Sequence, residues 1–302
     1  MADIKRGLGF VIMRVLVCLS SLPRHFDVFV QSFQEKVLSQ IPYTIDLVAH
    51  FPTEPDGEAL KSIISLVDKH LVKVEADPTF TWELDYQVNL IGNQGIKGNL
   101  LQWHSMASCG RLKKQMEEKN GQPYDWVIWS RPDLFFFNEL KFDFSKASYG
   151  LFVPPIDGHG GLNDRFCIGS SEVIDERLDI LKYFLKVWYP SYHNDRKYLK
   201  RKGKIWARYS CWNPEMVFKQ LLLDKGVSYH FLDFILGKIR RRAFDSGESQ
   251  MCVSVPFFDV RRKSNSLNTM KKRLKSLSVQ EYEDERTKLI DLAELQELLN
   301  DA

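Results

Sequence analysis

A strongly apolar segment with charged residues near its end is the first place in the sequence where chemistry could be done. Residues Tyr124 to Phe137 read YDWVIWSRPDLFFF, and Arg131, Pro132 and Asp133 interrupt the apolar run. Ligands of open α/β sheets bind beyond the carboxyl ends of the strands, so these charges would face a ligand there. One carboxylate suits a divalent metal ion, and a neighbouring guanidinium suits a diphosphate. The alternative is an Arg–Asp ion pair that only closes the strand.

A glycine-containing loop supplies the second group of candidates. Residues Asp157 to Phe166 read DGHGGLNDRF, and the three glycines allow the backbone to approach a ligand closely. The side chains that offer donors, acceptors and charge are His159, Asn163, Asp164 and Arg165. The loop matches neither the dinucleotide-binding nor the Walker phosphate-binding pattern. Without further support, a solvated turn is the simpler interpretation.

The third candidate site is the start of a predicted helix. Trp212 and Glu215 occur there in the sequence WNPE. An acidic residue in the first turn is favoured by the helix dipole whether or not it is catalytic. Trp212 offers an aromatic face on which a sugar ring could stack.

Hydroxyl and cationic groups at the predicted sheet edge are further candidates for contact with a nucleotide. Ser20, Ser21 and Arg24 follow the first predicted strand, and Lys97 lies in a polar loop over residues 89–99. The run KIRRR at residues 238–242 is close enough to a predicted strand to reach a diphosphate. Two other basic clusters, residues 196–208 and 271–275, match no nucleic-acid-binding module, and solvated loops explain most of their charge.

The elements that must position these residues alternate between strand and helix. Hydrophobic spacing and turn signals predict strands over Arg14 to Leu19, Thr44 to Phe51 and Leu71 to Glu75, with helices over Phe26 to Leu38 and Leu60 to His70 between them. This alternation predicts right-handed crossovers and a parallel, doubly wound sheet.

The second part of the chain is less regular. It contains predicted helices over Leu100 to Lys119, Ser171 to Tyr189 and Pro214 to Leu223, and predicted strands over Gly150 to Val153 and Val227 to Leu232. After Asp259 the composition becomes basic and polar, which is typical of a linker. Ser278 and Glu281 form a capping box for a predicted last helix, Val279 to Leu299.

The composition is that of a folded globular protein. The chain has 302 residues, of which 44% are hydrophobic and 27% charged, and its formal net charge of +3 is too small to indicate a nucleic-acid partner. Its five cysteines are widely spaced without a CxxC motif, which favours a reducing compartment over a disulfide framework. Arg14 splits the N-terminal apolar stretch into pieces shorter than the roughly 20 residues that span a bilayer. We therefore expect a soluble, cytoplasmic protein with a buried first strand.

Taken together, the motifs resemble those of viral and algal glycosyltransferases of the GT-A fold. The strand YDWVIWSRPDL, the loop NDRFCIGS at Asn163 to Ser170 and the PE-initiated helix over Pro214 to Val227 carry the resemblance. It covers roughly residues 13 to 245. It implies an α/β protein with a Rossmann-like GT-A fold, whose mostly parallel central sheet is flanked by helices. On this basis residues 1–260 form one catalytic domain, divided into a nucleotide-binding half (13–137) and an acceptor half (138–260). Residues 261–302 then form a basic linker and a C-terminal helix.

The resemblance also assigns roles to individual residues. It implies that Asp133 holds a divalent metal, Mn²⁺ or Mg²⁺, and that Ser20, Ser21, Arg24, Lys97 and Arg131 contact the nucleotide sugar. It places His159, Asn163, Arg165 and Trp212 on the sugar or its acceptor. Ser130-Arg131-Pro132-Asp133 stands where such enzymes have a DxD motif, so we expect Arg131 to share the role of the cation.

The expected reaction transfers a sugar from a nucleoside-diphosphate sugar, with UDP as the favoured nucleotide, to a glycan hydroxyl. The leaving diphosphate needs positive charge, from a metal, from Arg131 or from both. If the configuration inverts, a carboxylate must deprotonate the acceptor, and Glu215 is the first candidate and Asp164 the second. Two other function classes stay open: a nucleotidyltransferase-like α/β enzyme, and a non-catalytic protein that binds nucleotides or carbohydrates.

Overall fold

The structure, a computed structural model, describes residues 13–75, 94–146, 149–188, 190, 213–243, 249–254, 280–281 and 288–291. Within these residues the chain is an α/β protein with a mostly parallel central sheet and helices on its faces. None of the described helices is both long enough and apolar enough to cross a membrane.

The first part of the chain alternates strand and helix as the sequence predicts. Its elements are β1 (Arg14–Ser20), α1 (Phe26–Lys36), β2 (Thr44–Phe51), α2 (Gly57–Ile64), β3 (Lys69–Val74) and α3 (Gln94–Asn120). A short 3-10 turn, Leu38–Gln40, follows α1. The helix predicted to end at His70 is too long, because α2 ends at Ile64 and His70 already belongs to β3.

The second part contains shorter elements. They are β4 (Trp126–Ser130), β5 (Leu134–Phe136), β6 (Leu151–Val153), β7 (Phe166–Gly169), α4 (Ser171–Leu178), α5 (Ile180–Tyr183), α6 (Pro214–Asp224), β8 (Tyr229–Phe231), β9 (Leu236–Ala243), β10 (Ser249–Ser254), β11 (Gln280–Glu281) and β12 (Lys288–Asp291). The helix predicted over Ser171 to Tyr189 is divided into α4, α5 and a π-helical turn, Phe184–Trp188. The sequence patterns did not predict β7 or β10, and they described the residues of β9 only as a basic cluster.

The central sheet has a topological switch point beside β1. The strand order is β3-β2-β1-β4-β7-β6-β8, and β1 pairs in parallel with both β2 and β4. From β1 the chain builds outward to β2 and β3, and then returns to the other side of β1 with β4. Leu19 pairs with Ser130 in the β1–β4 ladder, so the carboxyl ends of these two strands meet. In doubly wound sheets this crevice is where a nucleotide binds.

The apolar segment from Tyr124 to Phe137 is divided between two sheets. Its first half is β4 of the central sheet, whereas β5 joins a second sheet of order β11-β12-β10-β9-β5. Pro132 has no amide hydrogen for a ladder, which favours the break between the two strands. Leu134 pairs with Lys238 on β9. The junction of the two sheets is therefore the charged triplet Arg131-Pro132-Asp133.

Two apolar clusters, one on each face of the central sheet, hold these elements together. Stacked and tilted phenylalanine rings connect α1 to β5, with ring centroids of Phe33 and Phe136 5.5 Å apart. On the other face, Trp103 of α3 packs against Phe184 at 4.8 Å. Each aromatic pair of this kind adds about 0.5–1.5 kcal/mol to the stability of the fold beyond the effect of burial. These pairs therefore hold the sheet edge firmly between the helices.

The predicted C-terminal helix, Val279 to Leu299, is wrong where the structure describes this segment. Gln280–Glu281 and Lys288–Asp291 are strands, and β12 pairs antiparallel with β10, where Val253 lies opposite Ile290. Without β12, β10 would be an edge strand, whose backbone donors and acceptors a neighbouring strand satisfies and a separate helix does not. Local helix signals are weak beside such tertiary pairing. These residues therefore contribute to the second sheet.

Truncation after Asp259 is predicted to destabilise the protein, because it removes β11 and β12 and leaves the edge of β10 unpaired. We expect a melting temperature lower by several degrees and reduced solubility, measured by differential scanning fluorimetry and sedimentation. Truncation after Asp291, which retains both strands, is the matched control. Equal melting temperatures for the shorter truncation and the full chain would contradict the structural role of these strands.

Candidate functional site

The junction between β4 and β5 carries a closed, two-pronged ion pair. Arg131 donates from Nε to Oδ1 of Asp133 at 2.9 Å and from Nη2 to Oδ2 at 2.6 Å. Its Nη1 donates to Oε1 of Gln102 on α3 at 3.1 Å. Burial opposes charge on both partners, but their attraction outweighs it, so the pKa of Asp133 is lowered and that of Arg131 is raised. Both groups are therefore charged at neutral pH.

Strand β9 brings further cations to this ion pair. The backbone N–H of Ile239 donates to the carbonyl oxygen of Asp133 at 2.9 Å, and Lys238 lies opposite the next residue, Leu134. Burial, followed by the positive charges of Arg165 and Arg131, lowers the pKa of Lys238 to about 7. A lysine is disfavoured in its charged form here because positive charge already surrounds it.

The loop between β6 and β7 is held in shape by its own side chains. Asn163 is buried, accepts hydrogen bonds from the backbone N–H groups of Arg165 (3.0 Å) and Phe166 (3.2 Å), and donates to the carbonyl oxygen of Ile156 (2.9 Å). The Arg165 guanidinium forms an ion pair with Asp157. Asn163 thus keeps the loop folded, while Arg165 extends the cationic group around Arg131.

Asp164 and Glu215 are buried acids that repel one another. Burial raises the pKa of Asp164, but the guanidiniums of Arg165 and Arg131 outweigh it and the net shift is downward. Burial and the charge of Asp164 raise the pKa of Glu215 to about 8. At neutral pH, Asp164 is therefore ionised and Glu215 is mostly protonated, as expected for two neighbouring carboxyl groups.

Glu215 is placed by close packing between its helix and the glycine-containing loop. Asn213 caps α6, since its Oδ1 accepts from the backbone N–H of Met216 at 2.9 Å. The backbone N–H of Leu162 donates to the carbonyl oxygen of Glu215 at 3.1 Å. A Cβ at Gly161 would lie 2.0 Å from that same oxygen, so only glycine permits this approach.

A fully buried cation connects the parts of the site. The guanidinium of Arg177, from α4, lies 3.9 Å from the ring centre of Phe218 on α6 and 4.7 Å from that of Trp129 on β4. Its Nη2 donates to the carbonyl oxygen of Asp164 at 3.0 Å. One side chain therefore contacts the strand before Arg131, the loop of Asp164 and the helix of Glu215.

The end of β1 carries polar groups that are partly used within the fold. Ser20 is fully buried and its hydroxyl accepts from the indole N–H of Trp129 at 2.8 Å. The backbone N–H of Ser21 donates to the hydroxyl of Ser105 at 2.9 Å, whereas Arg24 is exposed. These residues lie at the predicted sheet edge, but the hydroxyl of Ser20 is already used within the fold.

Backbone strain is concentrated in the two loops at this edge. Among the described residues, the non-glycine positions with positive φ are Ser21 (115°), His25 (50°), Asp157 (51°) and His159 (42°). Strained conformations of about 1–3 kcal/mol each persist where the surrounding structure imposes them, and they cluster at functional sites. His25 precedes α1, and its side chain makes no capping hydrogen bond there.

The structure brings together most of the predicted site residues. Arg131, Asp133, Asp164, Arg165 and Glu215 form one charged group, while Ser20, Ser21, His159 and Asn163 lie in the loops and strand ends around it. Lys97 lies in α3 and not in the loop predicted over residues 89–99, because this helix already starts at Gln94. Trp212 and the side chain of Lys97 lie outside the described residues.

Sequence reasoning missed Gln102 and Arg177 and named Lys238 only within its basic cluster. The sequence signal for Arg177 was a single arginine in SEVIDERL, at a position on the apolar face of the predicted helix.

The predicted metal ligand has surroundings that do not fit a divalent cation. Both oxygens of Asp133 are bound by Arg131, and Lys238 and Arg240 lie close enough to lower its pKa further. No group of three or more His, Cys, Asp or Glu side chains in the described part of the chain is arranged to hold a metal ion. The metal at Asp133 stays a prediction.

Residues 11–196 match the family described as Domain of unknown function (DUF7796). The chain belongs to this family. No curated protein matches the chain. The DUF7796 segment includes Arg131, Asp133, Asp164 and Arg177, whereas Glu215 and Lys238 follow it in sequence.

Gly161→Ala is predicted to destabilise the protein and displace α6, because the added Cβ would overlap the carbonyl oxygen of Glu215. Overpacking of this kind costs about 1–3 kcal/mol, which corresponds to a fall of several degrees in melting temperature. Gly98→Ala in α3, where a Cβ meets nothing within 4 Å, is the control and should be neutral or stabilising. Equal melting temperatures for the two variants would argue against the close approach.

Glu215→Gln is predicted to stabilise the protein at pH 8–9 and to change little at pH 4. The carboxyl has an ordinary pKa of 4.5 and a folded-state pKa of about 8, so its contribution to stability is lost as pH rises between these values. Glutamine has no such proton to lose. Melting temperatures from pH 4 to 9 test this, with Glu172→Gln on the exposed first turn of α4 as the control. A difference independent of pH would contradict the raised pKa.

Proposed function

We propose that this protein is a glycosyltransferase of the GT-A fold that moves a sugar from a nucleoside-diphosphate sugar to a hydroxyl group of a glycan. The observation that carries the proposal is the convergence of Arg131, Lys238, Asp164 and Glu215 at one edge of the sheet. This group combines cations for a leaving diphosphate with carboxylates for an acceptor hydroxyl. The resemblance of the strand and loop motifs in the sequence to those of GT-A enzymes supports the proposal separately.

The position of the charged group favours a nucleotide as one ligand. The crevice between the carboxyl ends of β1 and β4 is the topological switch point of the sheet. Helix α1 starts there, and the N–H groups of its first turn are not capped by the side chain of His25. A helix N-terminus attracts phosphate, so the diphosphate and Arg131 would meet in this crevice.

The chemistry of the transfer assigns separate tasks to these residues. The bond between C1 of the sugar and the diphosphate oxygen breaks, and its electron pair goes to that oxygen. The acceptor oxygen bonds to C1 and loses its proton to a carboxylate. Fixed cations stabilise the charge that develops on the leaving group.

Glu215 suits the role of the acceptor base better than Asp164. A general base works best when its pKa is near the working pH, and the pKa of Glu215 is about 8. Asp164 is held ionised by Arg165 and Arg131, which makes it a weak base. We therefore propose an inverting reaction in which the ionised form of Glu215, which becomes the major form above about pH 8, takes the proton, and Asp164 helps to raise its pKa.

The primary test is a thermal-shift and turnover screen with UDP, GDP, their sugar conjugates, ATP and free sugars. Binding of a ligand at 100 times its dissociation constant stabilises the folded state by about 2.7 kcal/mol. Selective stabilisation by one nucleoside diphosphate, with release of that nucleotide from its sugar conjugate, supports the proposal. Stabilisation by a triphosphate with pyrophosphate release would instead indicate a nucleotidyltransferase, and binding without turnover a non-catalytic protein.

Glu215→Gln is predicted to lower turnover by about 10²–10⁴ while nucleotide binding stays close to that of the wild type. Asp164→Asn is the matched variant and should reduce turnover less, with its pH–rate profile moved to lower pH because Glu215 loses a negative neighbour. Turnover and nucleotide binding are measured on both variants, and the anomeric configuration of the product by NMR. A larger loss in Asp164→Asn would transfer the base to Asp164, and a retained configuration would exclude an acceptor base of this kind.

A further inference from the structure

The place that the resemblance implies for a metal ion is filled by charges of the protein itself. Arg131 binds Asp133 through two hydrogen bonds, of 2.9 and 2.6 Å. A divalent cation would have to displace this guanidinium to reach the carboxylate. Asp133 therefore orients the guanidinium of Arg131 instead of binding a metal ion, because a two-pronged ion pair fixes the plane of the guanidinium.

Lys238 is a second group beside this pair that is positive when protonated, and a bound diphosphate would favour that form. It comes from the second sheet, where its residue pairs with Leu134 immediately after Asp133, and its backbone N–H donates to the hydroxyl of Ser254 at 2.8 Å. The backbone on both sides of Lys238 is thus fixed, since the N–H of Ile239 donates to the carbonyl oxygen of Asp133. The lysine side chain is partly buried at the junction of the sheets.

Positive charge exceeds negative charge around the junction. Arg165 and Arg240 lie near Lys238, and Arg131 acts electrostatically on Asp164 and Glu215 as well as on its own partner. Among the described residues, the ionised acids here are three: Asp133, paired with Arg131, Asp157, paired with Arg165, and Asp164, which acts on Lys238. With Lys238 protonated, the four cations Arg131, Arg165, Lys238 and Arg240 outnumber them. A dianionic group fits such a surplus, whereas an added divalent cation would increase the repulsion.

We infer that Arg131 and Lys238 take the place of a divalent metal and bind the diphosphate of the donor directly. This inference rests on the proposed function and names the groups that stabilise its leaving diphosphate. As the C1–O bond breaks, the electron pair moves to the diphosphate oxygen, and the guanidinium and the ammonium group face the charge that appears there. The acceptor proton goes to Glu215, so the step needs no co-reactant besides the acceptor.

The experiment measures binding of inorganic pyrophosphate and UDP by isothermal titration calorimetry, in EDTA and in MnCl₂. The proteins are the wild type, Lys238→Met, Lys238→Arg and the control Lys61→Met, whose lysine is exposed on α2. Wild-type binding should differ by less than about twofold between EDTA and manganese. Lys238→Met should weaken binding by about 10- to 100-fold, the usual loss for a hydrogen bond to a charged group, and Lys238→Arg should restore most of it. Circular dichroism confirms that each variant is folded.

The outcomes separate this inference from the proposed function. Binding or sugar transfer that requires manganese, or wild-type binding by Lys238→Met, overturns the inference while the transferase proposal stands. Pyrophosphate binding in EDTA that depends on Lys238, with no turnover of any nucleotide sugar, supports the anion site and overturns the transferase. If Lys238→Met does not fold, loss of binding in Lys238→Gln with recovery in Lys238→Arg decides the same question.

Discussion

The contact on which the site most depends is the burial of the Arg177 guanidinium between two aromatic rings. Placing a charged group inside a protein is costly unless nearby groups compensate for its lost hydration. Here Trp129 and Phe218 cover its faces, and the carbonyl oxygen of Asp164 accepts one of its hydrogens. Cation–π contacts are worth about 2 kcal/mol or more when water is excluded. Because the rings belong to β4 and α6, this one cation links the strand that leads into Arg131 to the helix that carries Glu215.

The charges that would serve the reaction oppose folding to some degree. A protonated glutamic acid beside an ionised aspartate, and a lysine whose pKa falls to about 7, are both arrangements that a fold selected only for stability would avoid. Perturbed ionisable groups of this kind are typical of functional sites. The surrounding aromatic core and the ladder hydrogen bonds provide the stability that offsets them.

Hydrophobic periodicity was sufficient to predict the first part of the fold. β1 and β2 are apolar runs that fit strands buried on both faces, and α1 repeats its phenylalanines at helical spacing, so local pattern and tertiary structure agree. The charged end of β4 was predictable for the same reason, because Arg131 and Asp133 interrupt an otherwise apolar run.

The patterns fail where pairing with distant residues decides the structure. β9 contains the basic sequence KIRRR, so its residue pattern does not predict a strand. The strand is defined by its pairing with β5 and β10. Residues 261–302 contain a helix-capping signal, but pairing with β10 makes residues 288–291 a strand. Lys238 could not be placed from sequence, since its position depends on the register of β9 against β5.

The pairing of β12 with β10 has a consequence for the order in which the protein becomes complete. Strand β9, which carries Lys238, is supported by β10, and β10 is in turn supported by a strand at residues 288–291. During synthesis the central sheet can assemble as its residues emerge, since β1 to β4 pair among themselves. The second sheet is completed only after residues 288–291 have emerged, because β12 pairs with β10. A nascent chain would therefore contain the crevice between β1 and β4 before the strand that carries Lys238 is fixed beside it.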